Sequence, residues 1–349
     1  MVHYRIDPEV CGKVFVDHEK AGRSGHMSHA LVEYAKGCVL AFYSNCSLNR
    51  NKGHSGFGWI EFKRSLDGAR TWSEPEKLPY AYNAFLNEPF TVSCEKAVVT
   101  GENQIVVFCT RNTNPNGWEP YLVPTVIRTE DAGKSWTEAV ELGTERGRVY
   151  DAFFANGEIY VLMQANSDFM ATGPEHHYQI YRSSDGGRSF SLVSELPGNM
   201  AGHAYGALKR RDDGAIIAYI YNSLNETNLD YFISFDGGQT WPERGQSYCA
   251  KSIRNPQIAR VKGGYILHGR AGAGSFKDPR NFVLYTGEDG IHWDEGVYLH
   301  IVVPGASTAY YSNNLVLNEE NGMQRVLIQS SVAYREARTN ICHWVLEIL

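Results

Sequence analysis

The chain has 349 residues, 21% of them charged, and a net charge of −6 with acidic and basic positions interspersed. That leaves no basic stripe for nucleic acid and no polybasic run for a membrane surface, and no apolar run approaches the ~18 residues of a transmembrane helix. Seven cysteines without CxxC spacing read as reduced, mostly buried thiols, and residues 1–10 lack the apolar core of a signal peptide, so the cytoplasm is the expected compartment.

From the N-terminus, residues 4–16 form a short strand-like segment expected to close a ring with the C-terminal end of the chain. Apolar runs then recur at 30–42, 98–108, 153–163, 215–221, 265–268 and 315–328, each containing or preceding a turn such as Lys36-Gly37, Asn156-Gly157 or Gly263-Gly264. Between them lies a repeated octapeptide. It reads Ser65-Leu66-Asp67-Gly68-Ala69-Arg70-Thr71-Trp72, and its counterparts begin at Thr129, Ser183 and Ser234, with a degenerate fifth copy from Thr286 to Trp293. The terminal aromatics Trp72, Trp136, Phe190, Trp241 and Trp293 are 64, 54, 51 and 52 residues apart. A period of roughly fifty residues marks a repeat architecture. Ser or Thr followed by Asp and Gly makes a tight turn, because short polar side chains bond their own backbone and Gly tolerates positive φ. Two hairpins per repeat make a four-stranded blade. The prediction is an all-β, six-bladed β-propeller in one domain, 1–349, with seven blades as the alternative.

The octapeptide resembles the Asp-box of the sialidase (neuraminidase) superfamily, also called the BNR repeat, and the likeness runs over nearly the whole chain. It implies the fold. It does not by itself imply an activity, because in that superfamily the boxes lie away from the active site. A working sialidase holds a substrate carboxylate with three arginines, cleaves with a Tyr–Glu pair and uses an Asp as acid/base. Here Ser28-His29-Ala30 stands where the first arginine would open the first inner strand. His54, in Gly53-His54-Ser55-Gly56, stands where the Asp would be, and Gly202-His203-Ala204-Tyr205 occupies the segment of the Glu. Tyr221-Asn222 replaces a further arginine. Ala309-Tyr310-Tyr311-Ser312 matches the tyrosine segment and aligns Tyr311 with the nucleophile, while Arg280 matches an arginine before a repeat-bearing strand. The resemblance therefore implies a scaffold from which most of the sialidase set is gone.

Propeller geometry brings one polar group per blade to the axis. The starts of the inner strands offer His29, Glu88, Asp151, His203, Arg254 and Tyr311, and the ends of the second strands offer Asn45, Arg111, Asn166, Asn222, Arg270 and Arg335. The catalytic candidates are His54, His203, Tyr311, Glu88 and Asp151. The substrate-binding candidates are His29, Arg111, Arg254, Arg270, Tyr221, Asn222 and Trp118. Imidazole passes protons near neutral pH, and arginine beside tyrosine lowers its pKa toward use as a base. Guanidinium groups pair carboxylates bidentately, so the expected partner is an acidic, uronate-type glycan. Trp59, Trp118 and Tyr121 are rim aromatics.

Three functions stay open. A glycoside hydrolase acting at the end of an acidic glycan needs carboxyl groups about 5 to 9.5 Å apart, for which Glu88 and Asp151 are the pair, with Glu119 and Glu175 in reserve. A polysaccharide lyase needs Arg or His on the uronate carboxylate and Tyr311 or a histidine as base. A lectin-like propeller needs neither. Hydrolase stands first. No cofactor or metal is expected, since His176-His177 on a strand point to opposite faces.

Overall fold

The computed structural model describes residues 2–47, 57–87, 90–113, 122–165, 176–271, 281–301, 310–319, 322–335 and 338–349. Among these residues, twenty-five strands form six sheets in a ring, with one helix beside them. Blade one is β3 (Leu31–Ala35), β4 (Cys38–Cys46), β5 (Gly58–Ser65) and β6 (Glu76–Lys77). The inner strands of the next four blades are β7 (Phe90–Gly101), β11 (Gly147–Ala155), β15 (His203–Arg210) and β19 (Arg254–Val261), and each is followed by three antiparallel partners. Blade six is β23 (Ser312–Asn318), β24 (Gln324–Arg335) and β25 (Arg338–Ile348), and both β1 (Tyr4–Ile6) and β2 (Lys13–Val16) pair with β25. The first and last segments of the chain thus share one sheet. The inner strands contact one another in cyclic order around the axis.

The octapeptides explain how the blades are joined. In the first, Ser65 Oγ donates to Asp67 Oδ1 at 2.7 Å, and the same carboxylate accepts the Arg70 and Thr71 N–H groups and the Thr71 hydroxyl. The turns at Asp131, Asp185 and Asp236 repeat this pattern. These hydrogen bonds hold all four carboxyls below the usual carboxylate range. The degenerate copy rewires it: His292 supplies the ring nitrogen that bonds Asp289, and Thr286 turns to Asp294 instead.

Each terminal aromatic lies against the preceding blade. Trp136 packs on Phe42 and Phe62 of blade one, Phe190 on Phe108 of blade two, and Trp241 donates to Ser194 of blade three. Trp72 meets Phe15 and His343 of the closing sheet. The ring of a propeller has no central core, so its apolar area must be buried between neighbours. Among the described residues, six apolar clusters accordingly occupy the six blade interfaces. One element departs from the all-strand reading: α1 (Pro79–Asn87) buries Ala81 and Ala84 between blades one and two, with Pro79 at the position where a missing N–H costs least. Among the described residues, no helix is long and apolar enough to cross a membrane.

Candidate functional site

An inner strand that ran regularly would turn alternate side chains into the blade interfaces. Here irregularities re-aim them. Register shifts flank Glu95 in β7, Tyr150 in β11, Tyr205 in β15 and Asn255 in β19. Ser28, Tyr205, Asn255 and Tyr310 also take positive φ, at 72°, 52°, 54° and 68°. β-bulges bend a strand and redirect a side chain, and non-glycine residues with positive φ are strained positions that gather at functional sites. The residue after Tyr205 must be small: a Cβ on Gly206 would stand 2.8 Å from Leu162 and 2.9 Å from the Tyr219 carbonyl.

These residues converge on one cavity at the axis, lined by Ser28, His29, Glu95, Arg148, Tyr150, Tyr205, Asn255, Gln257 and Tyr311. Its accessible space is about 30 Å³, room for a carboxylate or a hydroxyl group and not for a whole sugar ring. At its centre the Tyr205 and Tyr311 hydroxyls lie 2.7 Å apart. The guanidinium of Arg148 sits 5.9 Å from the Tyr205 ring and 5.5 Å from the Tyr311 ring. Arg254 lies 5.7 Å from Tyr205, and Arg270 lies 6.0 Å from Tyr311. Burial pushes the Tyr205 phenol up, but Arg254, Arg270, the Tyr311 hydrogen bond and Arg148 outweigh it and hold the phenol below its ordinary value. Tyr311 moves the other way, raised by burial and then by Tyr205. Of the two hydroxyls, Tyr205 is the one whose ionised form the surroundings favour.

Glu95 is the carboxylate of this site. Its Oε2 accepts from Arg148 at 2.7 Å, whereas Oε1 is buried without a hydrogen-bond partner among the described residues. His29 is neutral: burial lowers its pKa to about 4, and its Nε2 lies 3.0 Å from the His26 carbonyl. The His26 ring meets Tyr311 edge-on at 4.5 Å.

Of the sequence candidates, Tyr311, His29, Arg254 and Arg270 reach the axial cavity or its tyrosine pair. Tyr221 backs them: its ring lies 5.7 Å from that of Tyr205, and its hydroxyl donates to Glu226. Four others go elsewhere. His203 turns to the third strand of its blade, with Nε2 2.6 Å from Asp230. It lines a separate groove of about 390 Å³ with Asp230, Arg244 and Gln246. Asn222 caps the turn after its own strand, accepting from the Leu224 and Asn225 N–H groups. Arg111 is fixed at the rim by the Val123 carbonyl and Glu141. Asp151 is fully buried between Lys96 at 2.9 Å and Lys209 at 2.6 Å, and it also accepts the Leu208 N–H. Both carboxylate oxygens are committed, so Asp151 joins neighbouring inner strands and does not line the cavity. Trp59 donates to Glu61 under Arg23 and is edge packing. His54, Glu88, Trp118, Tyr121, Asn166, Glu119, Glu175 and Arg280 lie outside the described residues.

Sequence reasoning missed Tyr205, Glu95, Arg148, Asn255 and Gln257. Tyr205 had a signal, since it stands two residues after His203 in the segment that matches the sialidase glutamate. Arg148 and Glu95 had none. One group of metal-type donors occurs among the described residues: Glu145, His177 and Glu195, within 4.8 Å of one another on the third blade. The Gln179 amide already donates to both carboxylates, and these residues do not line the axial cavity.

No protein-family model matches the sequence, and no curated protein is significantly similar to it. Solved structures do match. A protein of unknown function from Dyadobacter fermentans superposes with a TM-score of 0.71 at 15% identity, over 98% of this chain and 100% of the other. The Hadza microbial sialidase Hz136 gives 0.67 at 14% identity, over 95% and 68%. The Trypanosoma rangeli sialidase, in complex with the inhibitor DANA, gives 0.65 at 14% identity, over 99% of this chain and 60% of the enzyme. At these identities the likeness establishes the fold, a six-bladed propeller of the shape those sialidases share.

Proposed function

We propose that the axial cavity receives the carboxylate of an acidic sugar, with the sugar ring at its mouth, and that the bond beside that sugar is cleaved with Tyr205 as the base. The observation that carries this reading is the Tyr205–Tyr311 hydroxyl pair at 2.7 Å, among three guanidinium groups that favour the Tyr205 phenolate. Guanidinium on a uronate carboxylate neutralises it and acidifies the adjacent C5–H. Tyr205 takes that proton, the C5–H electrons form the C4–C5 double bond, and the C4–O bond breaks. The leaving oxygen takes a proton back from the tyrosine pair. This β-elimination needs no second carboxylate, and among the described lining residues Glu95 is the only one.

Hydrolysis is the second reading, favoured by the place of Tyr311 in the matched tyrosine segment and by its contact with a tyrosine of lowered pKa. In that version Tyr205 takes the Tyr311 proton, and Tyr311 attacks the anomeric carbon as the glycosidic C–O bond breaks. The leaving oxygen takes that proton from Tyr205, and water then releases the sugar from Tyr311, in keeping with glycosidases that use a tyrosine nucleophile.

The test is incubation with oligosaccharides that contain a 4-O-linked uronate, reading absorbance near ~235 nm together with released reducing ends. New absorbance that disappears in Tyr205→Phe supports elimination. Reducing ends without absorbance select hydrolysis. Turnover unchanged in Tyr205→Phe would overturn both.

A further inference from the structure

The axial cavity contains more than its tyrosines and arginines use. Several polar atoms in its wall or beside it are buried with no hydrogen-bond partner among the described residues, among them Glu95 Oε1, Arg254 Nε, Asn255 Oδ1 and Nδ2, and Gln257 Oε1. The Glu95 side chain is 10% exposed and Asn255 is 5% exposed. A buried polar atom without a partner costs about 1–3 kcal/mol, so native proteins hold few, and several around one cavity call for a ligand that completes them.

Their chemistry specifies that ligand. Glu95 Oε1, Gln257 Oε1 and Asn255 Oδ1 accept, while Arg254 Nε and Asn255 Nδ2 donate. A bare carboxylate or a sulfate, which only accepts, leaves the three acceptors unmet. Hydroxyl groups do both. Three of these residues, Arg254, Asn255 and Gln257, come from the start of β19, and Glu95 comes from β7, so the set grips a ligand from two blades. Building on the acidic-sugar reading above, we infer that Glu95, Asn255 and Gln257 form a polyol subsite that requires free ring hydroxyls beside the carboxylate. The substrate class is then an unsulfated, un-etherified uronate. A sulfate ester at the hydroxyl facing Glu95 places two anions in contact and is excluded.

Asn255 and Gln257 are the residues to remove. Their unpaired amide atoms hold no protein partner, so truncation breaks no native hydrogen bond through them. Glycine at 255 keeps the positive φ of 54° without strain. The experiment measures binding of D-glucuronate, D-galacturonate, D-glucose and tetrahydropyran-2-carboxylate to the full chain by titration with NMR detection. The last probe keeps ring and carboxylate but has no hydroxyls. The wild type is expected to prefer a uronate over tetrahydropyran-2-carboxylate by at least ~10-fold, the equivalent of one or two hydrogen bonds. In Asn255→Gly/Gln257→Ala that preference falls to about 1 while binding of tetrahydropyran-2-carboxylate is unchanged. A variant that keeps the uronate preference overturns the polyol subsite and leaves the acidic-sugar reading intact. D-glucose bound as tightly as the uronates, or no uronate bound at all, overturns that reading and the subsite with it.

Discussion

Two polar clusters share the same inner strands and differ in one respect. Glu95 faces the axial cavity, and its sequence neighbour Lys96 joins Asp151. Tyr150 lines the cavity, and its neighbour Asp151 holds both lysines. In the Lys96–Asp151–Lys209 cluster both carboxylate oxygens are paired, and Lys96 also reaches Asn313. Around the cavity, several polar atoms have no hydrogen-bond partner among the described residues. Beyond the cluster, a second space of about 400 Å³ opens at the other end of the channel, lined by Lys96, Lys209 and Arg260. A satisfied network holds strands together, and an unsatisfied one is held ready for something else. Burial alone does not separate the two.

The sharpest way to break that contrast is to exchange its consequences. Tyr205→Phe is expected to lower turnover by ~10²–10⁴, the usual worth of a positioned base, with only a small change in melting temperature. A large fall in Tm with turnover preserved would place Tyr205 with the structural cluster. Asp151→Asn should do the reverse. It leaves two buried lysines facing one neutral group, and breaking such a pair costs about 3–5 kcal/mol. Denaturant unfolding reads this, and an unchanged midpoint would show that the cluster is not structural.

Acidity separates the regions next. Burial holds His18 and His29 at about 4 and His268 and His343 at about 3, so all four are neutral in the folded protein. The unfolded chain binds these protons near pH 6.5 and the folded chain does not. Stability is therefore complete above about pH 6.5 and is lost as pH falls toward 4, by about 1.4 kcal/mol per unit per imidazole. The turn carboxylates titrate lower and do not share this window. Chemical denaturation from pH 7 to 4 checks it, and His268→Asn should reduce the slope by one proton. Turnover has a limb of its own: it rises with pH as the Tyr205 phenol ionises, at a value below the usual one. Arg254→Met should move that limb to higher pH, and a limb that stays put would remove Tyr205 as the titrating group.

The smallest effect belongs to the outer turns. Asp131→Ala removes the acceptor for the Thr129 and Ser135 side chains and for one backbone N–H. A cost of about 1–2 kcal/mol is expected, as for a lost cap, with no change in turnover. Loss of activity from this position would show that the blade joints reach the cavity.

The architecture was legible because it is written locally. Ser65, Asp67 and Thr71 are within one turn of each other, and their hydrogen bonds close without help from the rest of the chain. Repetition of that turn at a steady interval is enough to count blades, with the sixth recognised by its strands alone. Tyr311 was visible for a related reason, since its segment has a recognisable neighbour pattern. The cavity was less legible. A bulge adds one residue and reverses which neighbour faces the axis, and no periodicity announces it. So Tyr205 lines the cavity and His203 turns outward to Asp230, although both occupy one short segment. Asp151 looked like an available acid only because Lys96 and Lys209 lie 55 and 58 residues away in the chain. The sequence by itself determined the repeat, the turn chemistry and the all-β class. The tertiary structure alone decided which side chains meet at the axis and which are neutralised there, because charge pairing and facing direction are properties of neighbouring strands, not of neighbours in the chain.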